Sequence, residues 1–425
     1  MGGLFAASGW GRRPLRWVQA ALIGGWMTMG AAYGAEPLEA WPSVPPESAG
    51  LSEARLKAAW ENLAARRTKA FLVVRGGRIV FERYAEDFGP NRKHYTASLA
   101  KALVGGLSLA IASADGRIAP DDRAARYIPA WQDDPIRSRI TIRHLATHTS
   151  GIEDAEEDGL PHERLPGWKG AFWRQDQNPF LLARDEASVL FEPGTDYAYS
   201  NPGMAMLAYA VTAALEGTEH PDLRTLLRER LFRPLGIPDS AWSIGYERTF
   251  ETEGLPLVPN WGGGGFTARA TARIGQLLLQ EGRWAGRELI APQWVRRAIT
   301  DAGMPRPPRS EAQPAPASGM GFYTNNDRVW ENVPSDAFAG AGAGHQVMIV
   351  VPSLELVIVR YGGTLDRNGE SLEFWGQIKA QVLDPVMAAF LDPAVVQEAS
   401  VRGGATGRAR PGDPLGPAGD DPPLG

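Results

Sequence analysis

The chain has 425 residues, 44% hydrophobic and 22% charged, with 49 glycines, 34 prolines and no cysteine, which is the composition of an ordinary globular protein. The missing thiols exclude a disulfide-stapled fold, a cysteine nucleophile, an iron–sulfur cluster and a thiolate zinc site. A net charge of −5 leaves no basic footprint for phosphates, so no nucleic-acid partner is expected and a small-molecule partner is.

Residues 1–35 read as a signal peptide. Arg12, Arg13 and Arg16 precede an apolar run from Trp17 to Ala32, and small residues around Gly34 and Ala35 suit cleavage. A spanning helix needs about 20 apolar residues, and this run is broken by Gln19, Gly24 and Gly25. Export to the periplasm or beyond is expected, with no stable membrane insertion once the segment is removed; an uncleaved anchor is the alternative. Pro14 and Arg16 suit a twin-arginine signal poorly, which favours Sec export.

The working domain is expected over residues 40–395. LSEARLKAAWENLAARR (51–67) carries apolar residues at helical spacing, and FLVVRGGRIVFERY (71–84) is two strand-like runs around Gly76 and Gly77. SLAKALVGGLSLAIASADG (98–116) is apolar on nearly every face and predicts a helix buried on all sides. The proline-rich stretch 304–317 reads as a surface loop. QVMIVVPSLELVIVRYGG (346–363) predicts two more strands, followed by a helix over 373–390. Strands from both ends of the chain with helices between them indicate an α+β fold. Residues 396–425 are expected to be a disordered tail, because VRGGATGRARPGDPLGPAGDDPPLG (401–425) has almost no large apolar side chains.

The chemistry concentrates in Ser98-Leu99-Ala100-Lys101. Positions i and i+3 share a helical face, so the lysine amine stands beside the serine hydroxyl. A serine hydroxyl needs a base to become a nucleophile, and burial disfavours a charged lysine, bringing it toward that role. Lysine is scarce, six against 38 arginines, yet one of the six falls in the most apolar helix. The bland reading, a lysine reaching from the first turn to solvent, stays open on the motif alone. Tyr199-Ser200-Asn201 adds a phenol that can relay a proton if cations lower its pKa, and an amide that can orient a substrate carbonyl. A second Tyr-x-Asn lies at Tyr323 and Asn325; Tyr199 is preferred because a Pro-Gly turn precedes it and an apolar helix follows.

With these residues the chain resembles the serine β-lactamase and penicillin-recognising superfamily, especially its class C-like esterases and 6-aminohexanoate-dimer hydrolases. The resemblance spans about residues 45–390. It includes YTASLAK, YSN, DGRIAPDDRAARYIP (115–129), ITIRHLATHTSGI (140–152), LFRPLGIPDSAW (231–242), GGGGFTARATARIGQLLLQEGRW (262–284) and AGAGHQVMIVVP (341–352). It implies an antiparallel sheet flanked by helices plus an all-helical lobe. It also implies a serine hydrolase acting on a small ester, amide or lactam, with Ser98 as the acyl-accepting nucleophile, Lys101 its partner and Tyr199 the base that relays protons. The oxyanion would lie between the N–H of Ser98 and one on the strand near Ala343 to Gln346, so Asn201, Ala343, Gly344 and His345 are candidate substrate or oxyanion residues. One departure matters: alanine stands at Ala343 where relatives carry a cation that meets a substrate carboxylate. Two readings of His345 are open, a substitute cation or a packed or capping residue. Uncharged esters or amides are expected to be better substrates than β-lactams or D-Ala-D-Ala peptides. The rivals are a β-lactamase or DD-peptidase and, from another class, a non-catalytic sensor that is acylated and never released.

No cofactor and no metal is expected, since the six histidines form no HExxH or HxHxD cluster. No Gly-x-Ser-x-Gly elbow occurs, and Gly262 to Gly265 lacks a phosphate-loop lysine and reads as a turn or close backbone approach. His148 reads as a structural hydrogen-bonding residue. The acidic run Glu153, Asp154, Glu156, Glu157 and Asp158 reads as a solvated face. Trp168, Phe172, Trp173 and Phe180 are either a lid over the acyl pocket or a satellite hydrophobic cluster.

Overall fold

The computed structural model describes residues 38–157, 159–367 and 370–406. The expected signal segment, 1–35, and residues 407–425 lie outside them.

Helix α1 (Glu53–Ala64) begins where Ser52 accepts a hydrogen bond from the Arg55 backbone, and it buries Leu56, Ala59 and Leu63, a stripe at helical spacing. Strands β1 (Thr68–Arg75) and β2 (Arg78–Tyr84) follow as a hairpin turning at Gly76 and Gly77. After a long helical excursion the chain returns with β3 (Ala317–Ser318), β4 (Tyr323–Thr324), β5 (Phe338–Gly342), β6 (Gln346–Val351) and β7 (Leu356–Gly362). These seven strands form one antiparallel sheet in the order β3-β4-β5-β6-β7-β1-β2, so the two ends of the domain meet where β7 pairs with β1. The expected α+β architecture is the observed one.

Alternation along the strands divides the core in two. Phe71, Val73, Ile349, Val351 and Ile358 face α1 and the helical segment 374–388. Leu72, Val74, Met348, Val350, Val357 and Val359 face the larger core shared with the helical lobe.

The buried helix α2 (Ala97–Ala114) runs through that lobe. Its composition is long and apolar enough to cross a membrane, but 83% of it is buried inside the fold. It opens with a 3₁₀ turn (Ala97–Leu99), widens into a π-type turn (Lys101–Gly106) and continues as α-helix from Leu107 to Ala114. Wide turns of this kind are frequent at functional sites. β5 lies against its first turns, placing the end of that strand at Gly342 beside Ser98.

The domain does not end at residue 395. A terminal helix spans Pro393–Thr406, Ala399 is buried against the sheet's second core, and the Ser400 carbonyl accepts from Arg328. Val396 and Ala399, three residues apart on one helical face, pack onto the second core, which the polar, glycine-rich residues after 401 concealed in the sequence.

Candidate active site

Ala97 adopts a left-handed φ of +45°, turning the chain so that Ser98 stands at the mouth of α2. Non-glycine residues held in that region carry strain and gather at functional sites. Lys101, one turn on, is 4% exposed. Its Nζ donates to Ser98 Oγ at 2.9 Å, to Asn201 Oδ1 at 2.6 Å and to the Trp261 carbonyl at 2.8 Å. An ammonium has three protons, and all three directions are occupied. In the neutral amine the two fixed carbonyl oxygens keep two N–H bonds, leaving the lone pair aimed at the Ser98 hydroxyl. Burial lowers the Lys101 pKa to about 7, against the opposing pull of Asp154 and Glu156.

The amine is the form that takes a proton. The kcat/KM of the enzyme for a neutral ester should therefore rise as pH climbs through Lys101 deprotonation, with its acid limb centred at about 7. A limb centred below pH 5 would assign the base to another group.

Tyr199 donates its hydroxyl to Ser98 Oγ at 2.7 Å, and the Lys101 Nζ lies 4.7 Å from its ring centre. Desolvation, with Tyr323 nearby, pushes this phenol well above its ordinary value despite the Ser98 hydrogen bond. The condition under which it would act as a resting base, a lowered pKa, is not met. The reason is burial, which disfavours the phenolate and outweighs the hydrogen bond with Ser98. His148 stacks on Tyr199 with ring centres 4.5 Å apart, and its Nδ1 accepts from the Ser200 backbone at 3.2 Å. Burial and the Lys101 cation lower His148 to about 3, so it is a neutral wall that braces the tyrosine. Tyr323 reaches the rear of the same centre, lining a small pocket with Ser98, Lys101 and His148.

Asn201 opens helix α3 (Asn201–Ala214) and is 1% exposed. The expectation that it orients substrate is corrected: its oxygen faces Lys101, while its Nδ2 donates to Asp154 at 3.0 Å. The solvated-face reading of the acidic run is corrected at Asp154, which is half-buried and accepts from Asn201; its companion Glu153 pairs with Lys169 at 2.9 Å.

At the third motif Gly342 packs directly on the nucleophile segment. A Cβ there would lie 2.3 Å from the Thr96 carbonyl oxygen and 2.8 Å from the Ser98 nitrogen, so only glycine allows this approach. Ala343 lines the cleft with Ser98. Gly344 and His345 turn away from it. The Gly344 carbonyl accepts from Arg360 at 2.7 Å and from Gln346 at 3.1 Å, which ties the turn to β7. His345, proposed for the substrate side, is 3% exposed, stacks on Phe374 and accepts at Nδ1 from the Leu365 backbone at 3.1 Å. Its pKa falls to about 4 through burial, so it is no substitute cation. Its φ of +59° is the physical reason, since the left-handed turn directs the side chain behind the strand.

The cleft above Ser98 has a volume of about 500 Å³ and an aromatic lining that includes Tyr95, Trp173, Tyr246 and Trp261. Its other walls include Glu156, Glu163 and the glycine run 262–264. The two readings of the aromatic segment divide between its residues. Trp173 walls the cleft, stacked on His162 at 3.7 Å, whereas Phe172 and Phe180 are core residues packed under Trp261. Asp154, Glu156 and the Trp261 carbonyl escaped the sequence reading. Asp154 and Glu156 sit in an acidic run with no distinguishing pattern, and a backbone carbonyl leaves no trace in side-chain identity.

Residues 56–376 match the family model described as Beta-lactamase. The chain belongs to the Beta-lactamase family. Among relatives it is 24% identical over 330 residues to the 6-aminohexanoate-dimer hydrolase of Paenarthrobacter ureafaciens, covering 76% of this chain and 78% of that protein. It is 27% identical over 183 residues to the D-alanyl-D-alanine-carboxypeptidase/endopeptidase AmpH of Escherichia coli, covering 41% and 45% of the two chains. Solved structures share the fold. A penicillin-binding protein homolog from Caulobacter crescentus aligns with a TM-score of 0.58 at 17% identity over 79% of this chain and 99% of that one. EstCE1, a hydrolase with promiscuous acyltransferase activity, aligns at 0.56 and 17% identity over 77% and 97%. This member of the Beta-lactamase family is a hydrolase of the serine β-lactamase type.

Proposed function

We propose that this protein is an exported serine hydrolase that cleaves an ester or amide bond through an acyl-enzyme on Ser98. One observation carries the reading: the Ser98 hydroxyl lies between a protonated phenol at 2.7 Å and a buried amine at 2.9 Å whose other hydrogen bonds are fixed to carbonyl oxygens. The Ser98 proton passes to Lys101 as Oγ attacks the substrate carbonyl, and the developing oxyanion meets the N–H groups of Ser98 and Ala343. Tyr199 gives its proton to the leaving group and regains one from the Lys101 side. Water then attacks the ester carbonyl with the same groups acting in reverse. Export rests on the arginine-led apolar segment at residues 12–35.

An uncharged substrate fits best. Alanine stands where a cation would meet a carboxylate, and Glu156 and Glu163 in the cleft repel one. The relative that acts on a 6-aminohexanoate dimer and the hydrolase EstCE1 support an amide or ester over a lactam. Intact mass spectrometry during turnover of p-nitrophenyl butyrate and nitrocefin, on wild type and Ser98→Ala, tests this. Faster butyrate turnover through a transient adduct absent from Ser98→Ala is expected. Equal or faster nitrocefin hydrolysis would make the enzyme a β-lactamase, and a stable adduct without turnover would make it a sensor.

A further inference from the structure

The acidic run after the THTSG segment sends one member inward. Asp154 Oδ1 accepts from the Asn201 backbone at 2.8 Å, from Asn201 Nδ2 at 3.0 Å and from the Ala155 backbone at 2.8 Å. A primary amide has an accepting and a donating end, and nothing in the amide itself selects which end faces Lys101. A carboxylate only accepts, so it holds the NH₂ end toward itself. We propose that Asp154 is a positioning residue for the reaction, locking the Asn201 amide so that its oxygen meets Lys101 and the lysine lone pair remains free for the Ser98 proton. A reversed amide would donate to that lone pair and remove the base. This inference rests on the acyl-enzyme reading of Ser98.

The groups facing the lysine are few and come from each neighbouring element. Ser98 lies on its own helix, with Tyr199 and Asn201 at the start of α3. His148, Asp154 and Glu156 come from the loop before the aromatic segment, and Tyr323 from β4. Of these Asp154 and Glu156 are the acids, and only Asp154 touches Asn201. A bland alternative exists, because Asp154 also accepts from the first residue of α3 and could serve merely as a helix cap. Ser200 already fills that place, its Oγ accepting from Gly203 at 2.8 Å.

The test separates the two roles. The chain has six lysines, so ¹³Cε-lysine labelling gives few resonances, and Lys101→Met assigns the one of interest. In Asp154→Asn, the Lys101 titration should move down by about one unit, since a nearby negative charge is gone. The acid limb of kcat/KM should follow it. At pH 8 kcat should fall about 30-fold while KM stays within about threefold, the pattern of a lost proton-transfer geometry. An unchanged Lys101 titration and unchanged kcat, with only a lower unfolding temperature, would reduce Asp154 to a cap and overturn the proposal. Asp154→Glu covers a failure of the first variant to fold: it keeps the charge but displaces it by one methylene, so an unshifted Lys101 titration with reduced kcat is expected, and unchanged kcat would overturn the lock. The lysine titration needs no substrate. Absence of any wild-type adduct would therefore remove the acyl-enzyme reading while the titration still reports on the lock.

Discussion

Lys101→Met should lower turnover of a neutral ester by about 10³- to 10⁴-fold while leaving the unfolding temperature within about 4 °C of wild type. Methionine fills nearly the same volume but has no N–H donor and no basic nitrogen to take a proton. The catalytic loss follows because Ser98 then has no group to receive its proton. Stability changes little because two effects oppose each other. The Trp261 carbonyl and the Asn201 oxygen lose their donor, at roughly 1–3 kcal/mol for a buried group left unpaired. Against this, the substitution removes the cost of keeping an ionisable amine 4% exposed inside an apolar helix, the same cost that lowers its pKa to about 7. Thermal unfolding and steady-state kinetics on one preparation check both parts. Retention of even a tenth of wild-type turnover would show that the Ser98 proton leaves by another route, with Tyr199 as the first suspect.

The second large effect belongs to a residue that never meets substrate. Gly342→Ala should cost about 1–3 kcal/mol of stability and about 100-fold in kcat/KM. Its Cβ would lie 2.3 Å from the Thr96 oxygen, 2.6 Å from the Leu99 nitrogen and 2.8 Å from the Ser98 nitrogen. All three are backbone atoms of the segment that presents the nucleophile, so no side chain can rotate aside. Either β5 retreats, taking the oxyanion side of the cleft with it, or Ser98 shifts from Lys101 and Tyr199. Gly89→Ala is the control, since nothing lies within 4 Å of its Cβ position. A Gly342→Ala enzyme with wild-type kcat/KM and stability would mean that the strand does not press on the nucleophile turn.

How much of this was legible beforehand depends on the range of the interaction concerned. The first hairpin was readable because Gly76 and Gly77 supply the left-handed turn and the flanking apolar residues are contiguous in sequence. The pairing of β1 with β7, which joins residues nearly 300 positions apart, was approached only through the likeness of apolar runs at both ends. The last helix is hidden from local pattern for a similar reason: Ala399 becomes a core residue only because the sheet's second face is there to cover it.

The sequence by itself determined that Ser98 and Lys101 would stand together, because i and i+3 on a helix are neighbours whatever surrounds them. Whether this lysine would be buried or reach solvent from the first turn stayed open, and the fold decided for burial by closing Asn201 and the Trp261 carbonyl around its amine. Tertiary structure decided everything that needed a partner from elsewhere. It set Tyr199 against Ser98 and placed Tyr323 behind it, although both occur in the same Tyr-x-Asn pattern. It drew Asp154 out of an acidic run toward Asn201, and it turned His345 behind the strand onto Phe374. A local motif fixes distances along one helix, but which end of an amide faces a lysine depends on a carboxylate 47 residues away, and only the folded chain brings that carboxylate into reach.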